Sequence, residues 1–253
     1  MKVLSSTIAV LSLLIDNSHG FSAPRTDYPA GKSAAEADQE RNQRRMKIAE
    51  EYIQNDGFHR PFKNVDVLSD KDFVYTGPVV GPLNKQDYIG TVTTFKVYDA
   101  FPAMKVTNSP LTRDPEDPNR YWSVIRVNGG AHTGELNMGS TKVPPTGNIM
   151  TVGPQSVSAT LDEKEDKIVR YTAGYIIDNR DGDTGDYGAM FAVLKTVGAF
   201  TPRPGGKTAR FLNMVGSMMK DFPKGRSHVD DLPEKWSAMG RKYGLRSKDA
   251  WSL

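Results

Sequence analysis

His132 is the side chain in this 253-residue chain that is best suited to proton transfer. A histidine with an unperturbed pKa of about 6.5 changes its charge close to neutral pH, so it can act as a general acid or base. His132 lies within the segment Gly130–Gly134, whose glycines favour a turn. A histidine beside such a turn can equally hold the backbone through hydrogen bonds, and the sequence leaves both interpretations open.

Tyr171 and Tyr175 form a second candidate group. Together with Val169, Ala173 and Ile177 they occupy every second position from 169 to 177. Every second residue of a strand points to the same face. We therefore predict that both phenols line one face of a strand. A phenol that faces a cavity can donate a hydrogen bond to an oxyanion, which makes Tyr171 a candidate catalytic residue and Tyr175 a candidate ligand-binding residue. Packing in the core is the alternative.

Trp122 and Arg126 are the third group, and they share a face of the strand predicted over residues 121–127. A buried arginine without a partner is costly. We therefore expect Arg126 to face solvent, or to pair with an acidic side chain or a bound carboxylate. In the second case Arg126 would orient an oxygen of the substrate, as a candidate catalytic residue, and Trp122 would contact the ligand.

Other kinds of site have less support. The chain has no cysteine, which excludes disulfides and thiolate-bound metals. The segment Asp178–Asp183 has alternating acidic residues, as a calcium loop does, but Ala189 stands where the glutamate at the twelfth position is needed. His59 and His228 have no acidic or histidine neighbour at metal-ligand spacing. We predict neither a metal nor a cofactor.

Helix and strand patterns indicate how these residues are positioned. Helices are predicted over residues 34–55, from an N-cap at Asn84 to about Tyr98, and over 185–197. Strands are predicted over 104–106, 121–127, 131–138, 149–161 and 167–177, with 131–138 as the antiparallel partner of 121–127. This order predicts an α+β fold in which helices cover one face of a curved antiparallel sheet, with a ligand cavity between the two layers.

Five segments occur in this order along the chain: Tyr88–Pro102, Gly130–Leu136, Pro144–Gly147, Lys167–Val169 and Leu194–Pro202. Together they resemble the SnoaL-like polyketide cyclase family, within the cone-shaped nuclear transport factor two-like superfamily. The resemblance covers residues 45–202 approximately. It implies that His132 stands at the family's histidine position and that Tyr75 lies near the mouth of the cavity and contacts the ligand.

The chain departs from the family where catalysis needs a carboxylate. The family's aspartate is expected on the strand after Lys167–Val169, and Ala173 occupies that position. A second family chemistry, epoxide hydrolysis, uses an Arg-x-Asp arrangement, where this chain has Arg126-Val127-Asn128. Neither alanine nor asparagine can act as a general base.

The ends of the chain indicate processing and a separate extension. Residues 1–20 have the basic start, apolar stretch and small residues of a signal peptide. Residues 21–40 begin with Phe21 and resemble the plastid transit segment of diatoms and related algae, with plain secretion as the alternative. The domain is predicted over 41–202, and the residues 203–253 form a basic extension that contains the helix candidates 208–220 and 233–243.

Two functions therefore remain open. The first is a cavity protein that binds a small apolar or conjugated ligand and carries out cyclase, isomerase or dehydratase chemistry. The second is a non-catalytic module for ligand binding, or for assembly as a homodimer through its sheet. Residues 201–253 carry a net charge of +6, but basic and aromatic residues do not alternate there as in single-strand-binding proteins, so no nucleic-acid partner is expected. No integral membrane segment is expected either.

Overall fold

The computed structural model describes residues 33–56, 65–139, 141–203, 206–208, 211, 225–234 and 236. The chain divides into two units, residues 1–39 and 40–253. In the first unit, Ser33 and Glu36 form a reciprocal cap, with Ser33 N donating to Glu36 Oε2 at 2.9 Å and Glu36 N donating to Ser33 Oγ at 3.3 Å. The predicted signal peptide, residues 21–32 of the transit segment and most of the C-terminal extension lie outside the described residues.

Four α-helices are described: α1 (Ala34–Glu51), α2 (Lys85–Phe95), α3 (Val97–Ala100) and α4 (Ala189–Thr196). A π-helical turn, Tyr52–Asp56, follows α1. The predicted N-cap of α2 is confirmed, because Asn84 Oδ1 accepts a hydrogen bond from Asp87 N at 2.9 Å. The helix expected to extend to about Tyr98 is interrupted at Lys96, whose φ of 43° ends α2 and begins α3. None of the described helices has both the length and the apolar sequence needed to cross a bilayer.

The main sheet is mixed, open and curved. Its strands follow the order β1-β8-β7-β4-β2, with β3 also paired to β4. β1 runs parallel to β8, and the other pairs are antiparallel. The strands are β1 (Val74–Thr76), β2 (Lys105–Asn108), β3 (Thr112–Arg113), β4 (Arg120–Ala131), β5 (Leu136–Met138), β6 (Thr141–Val143), β7 (Ile149–Leu161) and β8 (Ile168–Ile176). The expected α+β class, with a curved sheet packed against helices, is confirmed.

The predicted pairing of residues 121–127 with 131–138 is wrong. β4 runs through Gly129 and Gly130 without turning and pairs with β7 along its length, whereas β5 pairs with β6 in a separate two-stranded sheet. The glycines form an irregularity of the ladder between Asn128 and Gly130, where β4 has one residue more than β7. The two glycines, from which the sequence predicted a turn, therefore form a β-bulge within a continuous strand.

The prediction that Tyr171 and Tyr175 share a face is also wrong. Ser158 pairs with Thr172 and Ser156 pairs with Tyr175, so β8 has one extra residue between these two pairs. Gly174, with a φ of 92°, allows this bulge. The extra residue reverses the alternation, so Tyr171 lies on the inner face of the sheet and Tyr175 on the outer face.

The buried apolar residues form two clusters. The first lies between the inner face of the sheet and the α1 and α2 helices, and it includes Tyr52, Tyr88, Tyr121 and Tyr171. The second includes Phe101, Met150 and Val193 and involves α3 and α4. Two of the candidate residues contact different clusters, because Tyr171 belongs to the first and His132 stacks on Phe101 of the second.

Candidate functional site

Four buried tyrosines meet between the sheet and the helices, and we call them the tyrosine cluster: Tyr52, Tyr75, Tyr88 and Tyr171. They come from four elements, namely the π-helical turn after α1, β1, α2 and β8. The position is the layer in which the sequence predicted a ligand cavity. Of the candidates predicted from the sequence, Tyr75 and Tyr171 lie here.

The rings of the tyrosine cluster contact one another in defined geometries. Tyr75 stacks on Tyr88, with 4.8 Å between the ring centroids and 20° between the planes. Tyr52 meets Tyr171 edge-on at 5.1 Å, and Tyr75 lies 6.0 Å from Tyr171. The Tyr52 hydroxyl donates to the Tyr88 hydroxyl at 3.3 Å. The cluster is therefore an aromatic contact surface that carries phenolic hydrogen-bonding groups.

Three phenols of the cluster, those of Tyr75, Tyr88 and Tyr171, remain protonated at neutral pH. Burial raises the pKa of each of the three, and neighbouring phenols raise it further. Within the described part of the chain no Asp or Glu is buried, and His132 is the one buried histidine. The tyrosine cluster can thus donate hydrogen bonds to an oxygen atom, but the described buried residues supply no carboxylate base beside it.

His132 is fully buried, and its hydrogen bonds fix a turn. Its Nδ1 atom accepts a hydrogen bond from Thr146 N at 3.1 Å and lies 3.0 Å from Thr146 Oγ1. The ring stacks on Phe101 with centroids 5.0 Å apart. Since Nδ1 accepts a backbone N–H, the neutral ring carries its proton on Nε2.

Burial lowers the pKa of His132, and the backbone of Gly134 offsets part of this shift. The histidine is therefore held in its neutral form. Its stacking partner, Phe101, belongs to the second apolar cluster, whereas Tyr171 belongs to the first. The structure thus places the predicted acid or base and the predicted catalytic tyrosine in different parts of the core.

Arg126 and Trp122 lie on the outer face of the sheet, because the alternate residues of β4 that face inward, such as Tyr121 and Ile125, are the buried ones. Arg126 pairs with Asp181 at 2.6 Å and its side chain is 61% exposed, so of the alternatives that the sequence left open it both faces solvent and has an acidic partner. Trp122 Nε1 donates to Asp114 Oδ2 at 2.7 Å. Neither contact involves the tyrosine cluster.

Tyr175 also lies on the outer face and is 39% exposed. Partial burial raises the pKa of its phenol, and Arg170 lowers it. Tyr175 therefore lies on the opposite face of the sheet from Tyr171, with which the sequence grouped it, although its phenol still raises the pKa of Tyr75. In the described residues no three His, Asp or Glu side chains converge in a way that could hold a metal ion.

Tyr52 and Tyr88 were not among the residues predicted for the site. They lie in the helices predicted over residues 34–55 and from Asn84 to about Tyr98, and a helix pattern does not identify what a residue packs against. Their hydroxyl groups were the available signal, since a buried phenol needs a hydrogen-bond partner and therefore tends to meet another polar group.

Comparison with known proteins gives structural likenesses only. No protein-family model and no curated protein matches the chain. A SnoaL-like polyketide cyclase-type structure from Jannaschia sp. CCS1 is 15% identical, covers 67% of this chain and 98% of its own, and has a TM-score of 0.40. A phenazine biosynthesis-related protein from Pseudomonas aeruginosa is 13% identical, with coverages of 68% and 97% and a TM-score of 0.39.

A protein with a ketosteroid isomerase-like fold from Catenulispora acidiphila, in complex with trimethylamine, is 11% identical, with coverages of 62% and 97% and a TM-score of 0.35. The SnoaL-like family that the sequence motifs resemble is thus represented among the structures similar to this chain.

Proposed function

We propose that this protein binds a small, flat, conjugated molecule at the tyrosine cluster and does so without acid–base catalysis. The observation that carries the proposal is the convergence of four buried tyrosines from four separate elements. A simple packing role would be filled as well by phenylalanine, which has no hydroxyl group to satisfy. The phenols instead supply hydrogen-bond donors within an apolar surface, as ligand sites commonly do.

The chemistry of the cluster defines the ligand class. Aromatic faces favour stacking with a conjugated ring, and protonated phenols favour a carbonyl or hydroxyl oxygen on that ring. The rings of Tyr75 and Tyr88 contact each other directly at 4.8 Å. A ligand that lies between them must part them, so binding is expected to be coupled to movement of β1 or α2.

The environments of the residues predicted to carry acid–base chemistry support the non-catalytic alternative. His132 is neutral, buried among other residues and hydrogen-bonded to Thr146. Arg126 is on the outer face with Asp181. The family's aspartate is replaced by Ala173, so a proton acceptor is lacking at the position where the cyclases have one.

Native mass spectrometry tests the proposal directly. The purified protein is incubated with 2-naphthol, 1-tetralone and cyclohexanol, which differ in conjugation and in their oxygen group. We expect one bound molecule for each of the two conjugated compounds and none for cyclohexanol. Equal retention of all three, or of none, would refute a site selective for conjugated ligands.

The outer face of the sheet supports a second candidate function, assembly as a homodimer. Trp122, Arg126 and Tyr175 are at least partly exposed there, and an exposed sheet face with aromatic residues is a favourable interface. Light scattering that gives twice the chain mass would support this function, and Trp122→Lys should then halve the mass. A strict monomer at every concentration would rule it out.

The predicted leader leads to a proposal about location. Plastid import through a signal peptide and a transit segment remains our favoured route, with secretion as the alternative. A fluorescent protein fused after residue 40 should accumulate in the plastid of a diatom. Fluorescence found only outside the cell would contradict this route.

A further inference from the structure

A short C-terminal segment, Gly225–Asp231, is bound tightly to the domain, and we call it the strap. Ser227 at its centre is 2% exposed, although a serine in a basic, polar tail is ordinarily solvated. Ser227 N donates to Pro82 O at 2.9 Å, and Gly81 N donates to Gly225 O at 2.7 Å. The strap therefore pairs, backbone to backbone, with the chain around residues 81 and 82.

The segment that the strap holds covers the tyrosine cluster. Residues 77–84, the covering turn, fold back on β1, with Tyr75 N donating to Leu83 O at 2.8 Å and Leu83 N donating to Tyr75 O at 3.0 Å. Leu83 is fully buried in the same apolar cluster as Tyr75. A Cβ atom on Gly77 would lie 2.8 Å from the Tyr75 hydroxyl, so the turn passes directly beside that phenol.

The strap also holds the helix that carries Tyr88. Asn84 N donates to Ser227 Oγ at 2.9 Å, and Ser227 Oγ donates in turn to Asp87 Oδ2 at 2.6 Å. Asn84 Nδ2 donates to Asp231 O at 3.3 Å. One serine thus links the covering turn to the first turn of α2, in which Asp87 immediately precedes Tyr88.

A second anchor lies beyond the strap. Trp236 is 8% exposed, and the Arg170 guanidinium lies 5.6 Å from its ring centroid. Arg170 immediately precedes Tyr171 on β8. The C-terminal segment therefore contacts the elements that carry Tyr88 and Tyr171 and the turn that covers Tyr75.

We infer that the strap is a latch that controls access to the tyrosine cluster, and that the contact between Ser227 and Asp87 is its closing point. The ligand in this inference rests on the proposed function, but the latch itself does not. The covering turn and the start of α2 cannot separate from each other without breaking the bonds to Ser227, and Tyr75 lies beside the first whereas Tyr88 lies in the second. A negative charge at position 227 would place two carboxylates in contact and favour the open state.

Three variants of the full chain test the latch. Ser227→Asp sets a carboxylate against Asp87 and should open the latch. Ser227→Asp combined with Asp87→Asn replaces the repulsion by a carboxylate–amide contact and should close it again. Ser227→Ala loses the same hydroxyl bonds without adding charge, so it gives an intermediate effect and serves if the aspartate variant fails to fold.

The readout is nitration of tyrosines by tetranitromethane, mapped by mass spectrometry. Since the chain has no cysteine, the reagent's other usual target is absent. We expect Tyr75 and Tyr88 to react at least about tenfold faster in Ser227→Asp than in the wild type, with the double variant near the wild-type rate. Tyr121, a buried tyrosine whose hydroxyl donates to Asn42 Oδ1 at 2.8 Å, should remain protected.

Hydrogen exchange at Gly81 and Asn84 shows whether the strap has been released. Faster exchange there without faster nitration of Tyr75 and Tyr88 would overturn the latch. An equal rise in nitration at Tyr121 would also overturn it, because global unfolding would then explain the access. If nitration follows the prediction but the conjugated compounds do not bind, the latch stands and the proposed function fails.

Discussion

Tyr75 and Tyr88 stack with their ring centroids 4.8 Å apart, although one belongs to a strand and the other to a helix. Aromatic pairs of this kind contribute about 0.5–1.5 kcal/mol beyond the burial of their area. The stack therefore joins the sheet and helix layers at the proposed ligand site. A conjugated ligand bound there would replace this contact by stacking on one of the two rings.

The first prediction concerns the ionisation of the buried phenols. Burial raises the pKa of Tyr75, Tyr88 and Tyr171 in the folded protein. The folded state therefore favours the neutral phenols, and stability should fall as the pH rises above about 10, the pKa of an unfolded tyrosine. Phenolate absorbance should appear at higher pH in the folded protein than in urea. Coincident titration curves would contradict the burial of the cluster.

The second prediction concerns the stability conferred by His132. Replacing it with Ala leaves a cavity beside Phe101 and removes the acceptor for Thr146 N, so we expect a loss of about 2–4 kcal/mol in the free energy of unfolding. Urea denaturation measures this loss. A change below about 0.5 kcal/mol would show that His132 is not a structural residue.

The third prediction is the pH dependence that follows from His132. Its pKa is lowered in the folded state, so the unfolded chain binds the proton more readily. The contribution of His132 is complete above about pH 6.5 and decreases as the pH falls below that value, until the folded-state pKa is passed. Denaturation curves at pH 5 and pH 8 should differ less for His132→Gln than for the wild type. An unchanged difference would contradict a buried neutral histidine.

The sequence predicted the regular parts of the fold well. The N-cap at Asn84 and the bounds of β7 agree with the structure, because both depend on local residue preferences. The pairing of β4 with β7 was not predicted, since register between distant strands depends on tertiary packing. Trp236, in the helix candidate over residues 233–243, is buried beside Arg170 of β8, a contact that the sequence pattern did not identify.

The candidate site was predicted only in part, for two physical reasons. A single bulge at Gly174 reversed the alternation of β8 and moved Tyr175 to the outer face, and parity arguments assume that no such bulge is present. The contribution of Ser227 was missed because a polar residue in a basic tail is ordinarily solvated, and its burial depends on partners about 140 residues away in the chain.

The fourth prediction is that Arg126 does not contribute to ligand binding. Its ion pair with Asp181 is exposed on both sides, and such pairs contribute at most about 1 kcal/mol. Arg126→Leu should therefore change the free energy of unfolding by less than that amount and leave the binding of 2-naphthol unaltered. A loss of 2-naphthol binding in this variant would show that Arg126 contributes to the ligand site.

The fifth prediction concerns Arg45, which is buried and joins α1 to the sheet. It donates to Leu161 O at 3.0 Å, to Asp162 O at 2.6 Å and to Asn119 Oδ1 at 2.6 Å. Arg45→Met leaves these acceptors without a donor and should cost about 3–5 kcal/mol, measured by urea denaturation. The neighbouring Arg44→Met is the matched control, because that side chain is 63% exposed and should cost below about 1 kcal/mol. Equal losses would contradict the distinction.

The most direct test of the central claim compares the affinity for 2-naphthol in three Tyr→Phe variants, measured by isothermal titration calorimetry. Tyr88→Phe and Tyr171→Phe each remove one phenol from the tyrosine cluster, whereas Tyr175→Phe removes one from the outer face. We expect at least one of the two cluster variants to raise the Kd by about five- to tenfold, which corresponds to one hydrogen bond, and Tyr175→Phe to leave the Kd unchanged. A wild-type protein that binds no 2-naphthol, or an increase in Kd only for Tyr175→Phe, would contradict the central claim.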